Sequence, residues 1–291
     1  MGKIVGATLC THVPRLTLSP EKRQAYMGKK VSTFYHAMEK MFEEKIKLLD
    51  FDTFLIFDTH WWTTLEFIIN GDETHRGIYT SDEIPWLINH CDYNYSGNPE
   101  LADLISEEGK QKKLSVYVSR GEGVPVHYPT LVTMRYFNAD GKKRVLPMSI
   151  VYTSSIKDEL DYGESIRLAI ERSDCKVVIV ATGGLSHKFW PLHMIRRRNS
   201  ADLADISSDQ NREFDALMLN WLKLGDHRYV LSMAEEFKIR CSPEGRFAHY
   251  LRMVGALGGE NCRIKATQYG EYEAAAGTGQ AILWFDIPEN G

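Results

Sequence analysis

The sequence predicts an α/β fold, a single domain with a central mixed, mostly parallel sheet flanked by helices. Short apolar segments rich in β-branched residues alternate with longer segments whose apolar residues recur every three or four positions. The chain has 291 residues, of which 43% are hydrophobic and 25% charged, as in ordinary globular proteins. No low-complexity linker divides the chain, so we predict one domain over residues 1–291.

The first third of the chain predicts a strand, a helix and a second strand. Residues 3–9 and 51–57 are the apolar strands, and residues from about 30 to 49 form the helix between them. A helix that connects two strands in this way predicts a right-handed crossover between parallel strands. The apolar face of the helix consists of Phe34, Ala37, Met38, Met41, Phe42 and Ile46.

The rest of the chain continues the alternation. Asn98 is a good N-cap and Pro99 suits the first helical position, so a helix follows to about Lys112. A segment at 196–209 is expected to be a mobile loop or lid. Further strands are predicted at 66–70, 115–118, 144–150, 176–181 and 280–285, and further helices at 159–173, 209–224 and 246–257.

Composition excludes several classes of protein. The net charge of −4 and the pI near 6.2 give no electrostatic case for nucleic-acid binding. No apolar run reaches the length of a membrane span, and no secretory signal precedes the first strand. The five cysteines are scattered without a Cys-x-x-Cys pair, which predicts a reduced, cytoplasmic protein.

Three histidines follow predicted strands: His12, His60 and His187. Ligands of open α/β sheets bind outside the carboxyl ends of the strands, so these imidazoles are expected in one crevice. Imidazole suits zinc, copper, iron and nickel, and two imidazoles with one carboxylate leave open positions for Fe(II) oxygen chemistry. The alternative is structural: His12 bonded to a backbone carbonyl, and His60 in a buried turn.

His187 follows the pair Gly183-Gly184, which permits a sharp turn or a close approach to a ligand. Because its ordinary pKa is near working pH, His187 suits proton transfer. The alternative is a tight loop in which His187 caps something local. The third ligand requires a carboxylate, and spacing alone does not select Glu244, since glutamate near a helix N-terminus is favoured by the helix dipole in any case.

The remaining histidines carry weaker expectations. His127 lies in a loop and either faces the site or bonds loop backbone. His36 and His249 are expected to be packing or surface residues of helices. The polar stretches predict solvated side chains for His75, His90, His193 and His227.

Eight ordered motifs over nearly the whole chain resemble one family. They are THVP at 11–14, FDTHW at 57–61, GIYTS at 77–81, YNYSGNPEL at 93–101, TLVTMRY at 130–136, GLSH at 184–187, REFD at 212–215 and GTGQ at 277–280. The chain resembles the class III extradiol ring-cleaving dioxygenases, the protocatechuate 4,5-dioxygenase catalytic-subunit superfamily. Within it, the chain is most similar to the homoprotocatechuate (3,4-dihydroxyphenylacetate) 2,3-dioxygenases.

The resemblance implies that His12, His60 and Glu244 bind one Fe(II), with Mn(II) accepted by the same ligand set, and that His187 is the acid–base. It implies O₂ as co-substrate, cleavage of a catecholic ring to a hydroxymuconic semialdehyde, and a homo-oligomer. Tyr128 is expected near a substrate oxygen. The family has an acidic residue, then Tyr or His, then Gly, where this chain has His127-Tyr128-Pro129, so His127 joins the candidate catalytic residues.

Several alternatives stay open, of which only the first follows from this departure. In the first alternative, the substrate is a 2-aminophenol or another catechol analogue instead of a catechol. Another is a zinc-dependent or hydrolytic enzyme on the same fold, and a third is a non-catalytic subunit of a two-chain dioxygenase. Arg15, Arg246 and the run 196–198 are candidates to pair with an acidic substrate group, although the run is expected to be a solvated loop.

Overall fold

Eight strands form the central sheet of the protein, whose computed structural model describes residues 1–27, 31–121 and 123–288. The strands of the described part are β1 (Lys3–Cys10), β2 (Thr53–Thr63), β3 (Phe67–Asn70), β4 (Thr74–Tyr79), β5 (Cys91–Ser96), β6 (Val116–Ser119), β7 (Arg144–Val151), β8 (Lys176–Thr182), β9 (Ala266–Gln268), β10 (Glu273–Ala275), β11 (Thr278–Gln280) and β12 (Ile282–Asp286). Its α-helices are α1 (Pro20–Met27), α2 (Phe34–Glu44), α3 (Pro99–Gln111), α4 (Tyr128–Phe137), α5 (Ile156–Arg172), α6 (Leu192–Ile195), α7 (Asp209–Leu224), α8 (His227–Cys241) and α9 (Ala248–Ala256).

The strand order of the central sheet is β6-β3-β7-β2-β8-β1-β12-β9. The four central strands β7, β2, β8 and β1 run parallel. β12 is antiparallel to β1 and to β9, and β3 is antiparallel to β7 but parallel to β6. The prediction of a mixed, mostly parallel sheet flanked by helices is therefore confirmed.

Both faces of the sheet are buried, as the continuous apolar strands predict. In β8, Val177 and Ile179 join one apolar cluster with residues of α3, α5, α7, α8 and α9. Val178 and Val180 join the cluster on the opposite face, with residues of α2 and α4. The twofold alternation of side chains along a strand divides the core in this way.

Several boundaries differ from the prediction. The helix predicted over 30–49 is α2 followed by a 3₁₀ turn at Ile46–Leu48, and its predicted start at Lys30 lies outside the described residues. α5 begins earlier than predicted, because Ser155 and Asp158 form a capping box. The helices α1, α4, α6 and α8, the β4–β5 hairpin and the short strands β9 and β10 were not predicted.

Two histidines that were predicted to be solvated are buried, so that prediction is wrong. His75 Nε2 lies 2.9 Å from the Val145 carbonyl oxygen. His227 bonds through both nitrogens, to the Tyr250 hydroxyl at 2.9 Å and the Ile264 carbonyl at 2.8 Å. His227 is therefore a satisfied core residue, whereas Nδ1 of His75 has no partner among the described residues. His36, His90 and His193 are exposed.

The segment predicted as a loop, 196–209, follows the short helix α6 and contains a 3₁₀ turn at Leu203–Asp205. Arg198 lies 5.2 Å from the ring centre of Trp190, and its guanidinium is 3.5 Å from the Asp205 carboxylate. Across the described ranges of the chain, we find no helix with the length and apolar character that a membrane span requires.

Candidate metal centre

Two imidazoles and one carboxylate converge beyond the carboxyl ends of the central strands. The ligand atoms of His12, His60 and Glu244 all lie within 4.8 Å of one another. Glu244 Oε1 is 3.0 Å from His12 Nε2 and 3.5 Å from His60 Nε2. His12 and Glu244 are buried, with side chains 4% and 5% exposed, and His60 is half-buried. Such a donor set fits a divalent transition metal.

His12 is the second residue after β1, in the turn that leads to a 3₁₀ segment starting at Pro14. The preceding Thr11 is tied to the last strands, since its N–H donates to the Ala281 carbonyl at 3.2 Å and its hydroxyl to Gln280 Oε1 at 2.5 Å. β1 is therefore anchored to the C-terminal part of the chain at the point where it presents His12.

His60 lies inside β2, although the sequence predicted that this strand ends before it. The pairing of β2 with β7 is regular up to Phe57, opposite Met148, and resumes at Trp62, opposite Ile150. The residues between form a bulge, a device that redirects side chains at a sheet rim. Asp58 Oδ1 accepts the backbone N–H of His60 at 3.1 Å and fixes the bulge.

Glu244 lies on a loop with left-handed backbone on both sides. Ser242 has φ 46°, and Gly245, Arg246 and Phe247 have φ 57°, 54° and 66°. Three of these four residues carry a Cβ, and each then costs roughly 1–2 kcal/mol. A helix predicted to start at Arg246 therefore begins only at Ala248. Backbone strain of this kind concentrates at functional sites.

The Glu244 carboxylate is fixed by two further donors. Its Oε2 accepts the backbone N–H of Gly184 at 2.6 Å, and its Oε1 accepts the Thr59 hydroxyl at 3.1 Å. Burial alone raises the pKa of this carboxyl, but the neighbouring imidazoles of His12 and His187 outweigh burial and hold the pKa well below its usual value. Glu244 is therefore a fixed anion next to the two imidazoles.

His187 faces the same carboxylate from the opposite side. Its Nδ1 lies 3.5 Å from Glu244 Oε2, and its backbone N–H donates to the Cys241 carbonyl at 3.1 Å. Burial lowers the pKa of His187, against the opposing effect of Glu244. The imidazole is neutral at neutral pH and has a lone pair that can accept a proton.

Tyr128, the first residue of α4, lies against the second imidazole. Its hydroxyl is 2.8 Å from His60 Nε2. Burial, reinforced by the charge of Glu244, raises the pKa of Tyr128 far above its usual value, so the phenol keeps its proton. The neighbouring His127 is directed elsewhere: its ring centre is 6.2 Å from that of Trp61, and it is not among the residues that line the cavity next to the triad.

A cavity of about 590 Å³ reaches the triad, and His12, His60, Tyr128, His187 and Glu244 all line it. This volume is in the range of small-molecule sites. Of the predicted carboxylate-binding arginines, Arg15 is engaged, with its Nη2 3.2 Å from the buried Glu273 carboxylate. Arg246 lies over the Tyr152 ring, 5.0 Å from its centre, and does not line the cavity.

His249 was expected to pack or to face solvent, and it packs, but sequence reasoning did not place it next to the site. It is fully buried behind the site, where a Cβ on Gly183 would lie 2.9 Å from its Nε2 and a Cβ on Gly245 3.4 Å from its Nδ1. Neither ring nitrogen has a partner among the described residues, and burial lowers the pKa of His249 to about 4. The glycines on both loops were the available signal, since such positions mark a close approach.

Comparison with known proteins identifies the family. Residues 6–285 match the family described as the catalytic LigB subunit of aromatic ring-opening dioxygenase. A 3,4-dihydroxyphenylacetate 2,3-dioxygenase of Escherichia coli is 29% identical over 259 residues, which are 89% of this chain and 91% of that relative.

A solved structure of an uncharacterized protein from Escherichia coli K12 has a TM-score of 0.63 to this chain at 13% identity, covering 96% of this chain and 99% of that one. At this identity the similarity supports the fold alone. The match over residues 6–285 covers nearly the whole length, including every residue of the candidate centre. The chain therefore belongs to the LigB family of aromatic ring-opening dioxygenases and is a ring-cleaving dioxygenase.

Proposed function

We propose that the chain is a non-haem Fe(II) extradiol dioxygenase, with residues 1–291 acting as one catalytic domain. Its substrate is 3,4-dihydroxyphenylacetate or a related substituted catechol, and its product with O₂ is a hydroxymuconic semialdehyde. The observation that carries the proposal is the triad of His12, His60 and Glu244 at the floor of a cavity that His187 also lines. The name of the Escherichia coli relative supports the substrate class.

His12, His60 and Glu244 are the residues that would hold the metal. The donor set fits Fe(II), and Mn(II) accepts the same ligands. The bound ion supplies Lewis acidity toward the substrate hydroxyls and the open positions that O₂ chemistry requires. Gly184 and Thr59 contribute indirectly, because their hydrogen bonds orient the Glu244 carboxylate.

His187 is the proposed general acid–base. Its neutral imidazole accepts a proton from one hydroxyl of the catechol and returns it later in the cycle. The Glu244 carboxylate, 3.5 Å from His187 Nδ1, stabilises the imidazolium between the two transfers. The proton is therefore kept on the His187 imidazole, next to the substrate.

Tyr128 is proposed to donate a hydrogen bond from its hydroxyl to a substrate oxygen, because the phenol is protonated and lies beside His60. His127 directly precedes the same helix, and its ring lies near that of Trp61, so we assign it a positioning role next to Tyr128.

The oligomeric state and the cellular compartment are also proposed. We propose a homo-oligomer in the reducing cytoplasm, where the five cysteines stay unpaired, as they are in the described residues. A 2-aminophenol substrate, a zinc enzyme and a partner subunit remain alternatives. Because this single chain brings His12, His60 and Glu244 together, the structure favours a catalytic rather than a non-catalytic subunit.

An oxygen-electrode assay on protein loaded anaerobically with Fe(II) tests the proposal. The substrates are 3,4-dihydroxyphenylacetate, protocatechuate, catechol and 2-aminophenol, with the yellow product followed by absorbance. Oxygen uptake in stoichiometric amounts with a catechol is the expected result. Uptake with 2-aminophenol alone selects that alternative. No uptake at one bound iron per chain overturns the proposed activity for the chain on its own.

Metal analysis tests the ligands separately from turnover. Replacement of His12 by Ala removes a buried donor, so bound iron is expected to fall by about 10-fold or more. His36→Ala is the matched control, because His36 is exposed on α2. Full iron retention in His12→Ala contradicts the assignment.

A further inference from the structure

Gln280, the last residue of β11, is buried in the wall of the cavity that reaches the triad. Its side chain is 2% exposed, and it lines that cavity together with Thr278. It ends the GTGQ motif at 277–280, none of whose residues takes part in the proposed mechanism. A buried amide requires partners for both its oxygen and its nitrogen, so the contacts of Gln280 show what it holds in place.

The amide oxygen of Gln280 contacts the turn that carries His12. This oxygen, Oε1, accepts the Thr11 hydroxyl at 2.5 Å, and the oxygen of that hydroxyl accepts the backbone N–H of Val13 at 3.3 Å. Thr11 and Val13 are the residues on either side of His12. The turn is therefore closed around the Thr11 hydroxyl, and Gln280 fixes the direction of that hydroxyl.

The amide nitrogen of Gln280 fixes the orientation of the amide group. Nε2 donates to the Thr278 hydroxyl at 2.8 Å, and that hydroxyl donates in turn to the Ala275 carbonyl at 2.7 Å. Because a hydroxyl has one proton, and that of Thr278 goes to Ala275, Thr278 can only accept from Gln280. The nitrogen therefore faces Thr278, and the oxygen is left for Thr11.

The same amide lies against the loop that orients Glu244. A Cβ on Gly184 would lie 2.4 Å from Gln280 Nε2, so this glycine leaves the space that the amide occupies. The Gly184 N–H donates to Glu244 Oε2 at 2.6 Å. The loop is also paired with β11, since the Leu185 N–H donates to the Gly279 carbonyl at 2.8 Å. Gln280 thus lies between the segments that present the two buried members of the triad.

These two members must keep a fixed separation to share one ion. Glu244 Oε1 and His12 Nε2 are 3.0 Å apart, and a small displacement of either segment changes that distance. His60 has a support of its own, because Asp58 accepts its backbone N–H. Side chains that orient metal ligands typically contribute 10–100-fold to metal affinity.

We propose that Gln280 is a positioning residue of the metal centre, which places His12 through the Thr11 hydroxyl and packs against the Gly184 backbone that orients Glu244. This inference rests on the proposed function and deepens it. Because Gln280 acts through other residues, its replacement is expected to weaken metal binding while all three donor side chains are retained.

Metal affinity, measured without turnover, tests the proposal. Mn(II), which the same ligand set accepts, is titrated calorimetrically into wild-type protein and into Gln280→Met, whose side chain is similar in length but forms no strong hydrogen bond. The Kd is expected to rise about 10-fold in Gln280→Met. Gln268→Met is the matched control, because Gln268 is half-buried on β9 and its amide donates to the Gly270 carbonyl.

Variants of Thr11 show whether Gln280 acts through the His12 turn. Thr11→Val removes the hydroxyl and is expected to raise the Kd about 10-fold, whereas Thr11→Ser keeps the hydroxyl and is expected to bind as the wild type does. Adding Thr11→Val to Gln280→Met is expected to raise the Kd little further, because both changes remove the same hydrogen bond. Thr8→Val is the control, since Thr8 is also buried on β1 but donates to the Leu283 carbonyl, at 2.8 Å.

Urea unfolding of the same variants separates positioning from stability. A merely structural role lowers the free energy of unfolding and leaves the Kd of the folded protein unchanged. An unchanged Kd in Gln280→Met, or losses that multiply when the change is combined with Thr11→Val, overturns the role of Gln280, while Mn(II) binding by the wild type still supports the centre. Failure of the wild-type protein to bind Mn(II) or Fe(II) instead overturns the proposed metal centre itself.

Discussion

Asp215 holds Ser186 at two points: its Oδ1 accepts the Ser186 N–H at 2.9 Å, and its Oδ2 accepts the Ser186 hydroxyl at 2.6 Å. The Tyr272 hydroxyl also donates to Oδ2, at 2.5 Å. Ser186 precedes His187, and its carbonyl accepts the Gly279 N–H at 2.9 Å. A fully buried carboxylate thus fixes the loop that carries the proposed acid–base.

Asp215→Ala is expected to lower the free energy of unfolding by about 3 kcal/mol, because it leaves the buried donors of Ser186 and Tyr272 unpaired. Urea unfolding measures the loss. Asp174→Ala is the control, since the Asp174 side chain is fully exposed. A loss as small as that of the control contradicts the proposed support of the loop.

The same carboxyl predicts a pH dependence. Burial raises the pKa of Asp215 to about 7, against the opposing hydrogen bonds of Ser186 and Tyr272. The folded protein therefore binds this proton more tightly than the unfolded chain, and the associated stability is lost as pH rises through about 7. Thermal unfolding between pH 5.5 and 8 is expected to show a larger fall in Tm for wild type than for Asp215→Asn. Parallel Tm curves exclude the effect.

His187→Gln is expected to lower kcat by about 10²–10⁴-fold, because the proposed general acid–base is lost while the triad is retained. Oxygen uptake measures turnover, and metal analysis of the same sample is expected to show undiminished iron. His193→Gln, at an exposed position, is the control. Turnover at the parental rate would remove His187 from the mechanism.

Gly245→Ala and Gly259→Ala separate backbone strain from crowding. The two glycines have similar φ, 57° and 60°, but a Cβ on Gly245 would lie 2.6 Å from Thr59 Cγ2, whereas nothing lies within 4 Å of one on Gly259. We expect Gly259→Ala to cost about 1 kcal/mol of stability and Gly245→Ala about 3 kcal/mol. Bound iron is expected to fall only in Gly245→Ala. Equal losses in both variants contradict the tight packing of the Glu244 loop.

Two buried histidines provide a further matched pair. His249 has no hydrogen-bond partner among the described residues, whereas His227 has two. Leucine is close to histidine in volume, so His249→Leu is expected to leave stability unchanged or raise it, and His227→Leu to lower it by about 2 kcal/mol. Chemical denaturation compares them. A large loss in His249→Leu indicates that its imidazole has a polar partner.

The sequence predicted the central strands closely, because continuous apolar runs leave little choice of structure. Residues 3–9 and 176–181 were predicted, and β1 and β8 span Lys3–Cys10 and Lys176–Thr182. The bulge around His60 could not be predicted from the sequence, since it depends on the register of β2 with β7, which is remote in sequence. The burial of His249 likewise arises from two loops that approach each other only in the fold.

Among the helices that were not predicted, α4 and α8 were missed for different reasons. α4 begins with Tyr128-Pro129, and prolines around it resemble a loop, although proline is compatible with a helix start. α8 carried a readable signal, because Val230, Ala234, Phe237 and Cys241 are buried at helical spacing. For Glu244, local sequence was insufficient: its selection required the family resemblance, and its left-handed flanks appear only in the structure.

The pairing of β1 with both β8 and β12 means that the central sheet can be completed only late in the synthesis of the chain. The first strand leaves the ribosome early but has no neighbour in the sheet until β8 emerges, and its second neighbour, β12, is the last strand that the structure describes. His12 and His60 therefore exist for most of translation without Glu244. Any metal that these residues hold could therefore be bound by all three only after Glu244 has been synthesised.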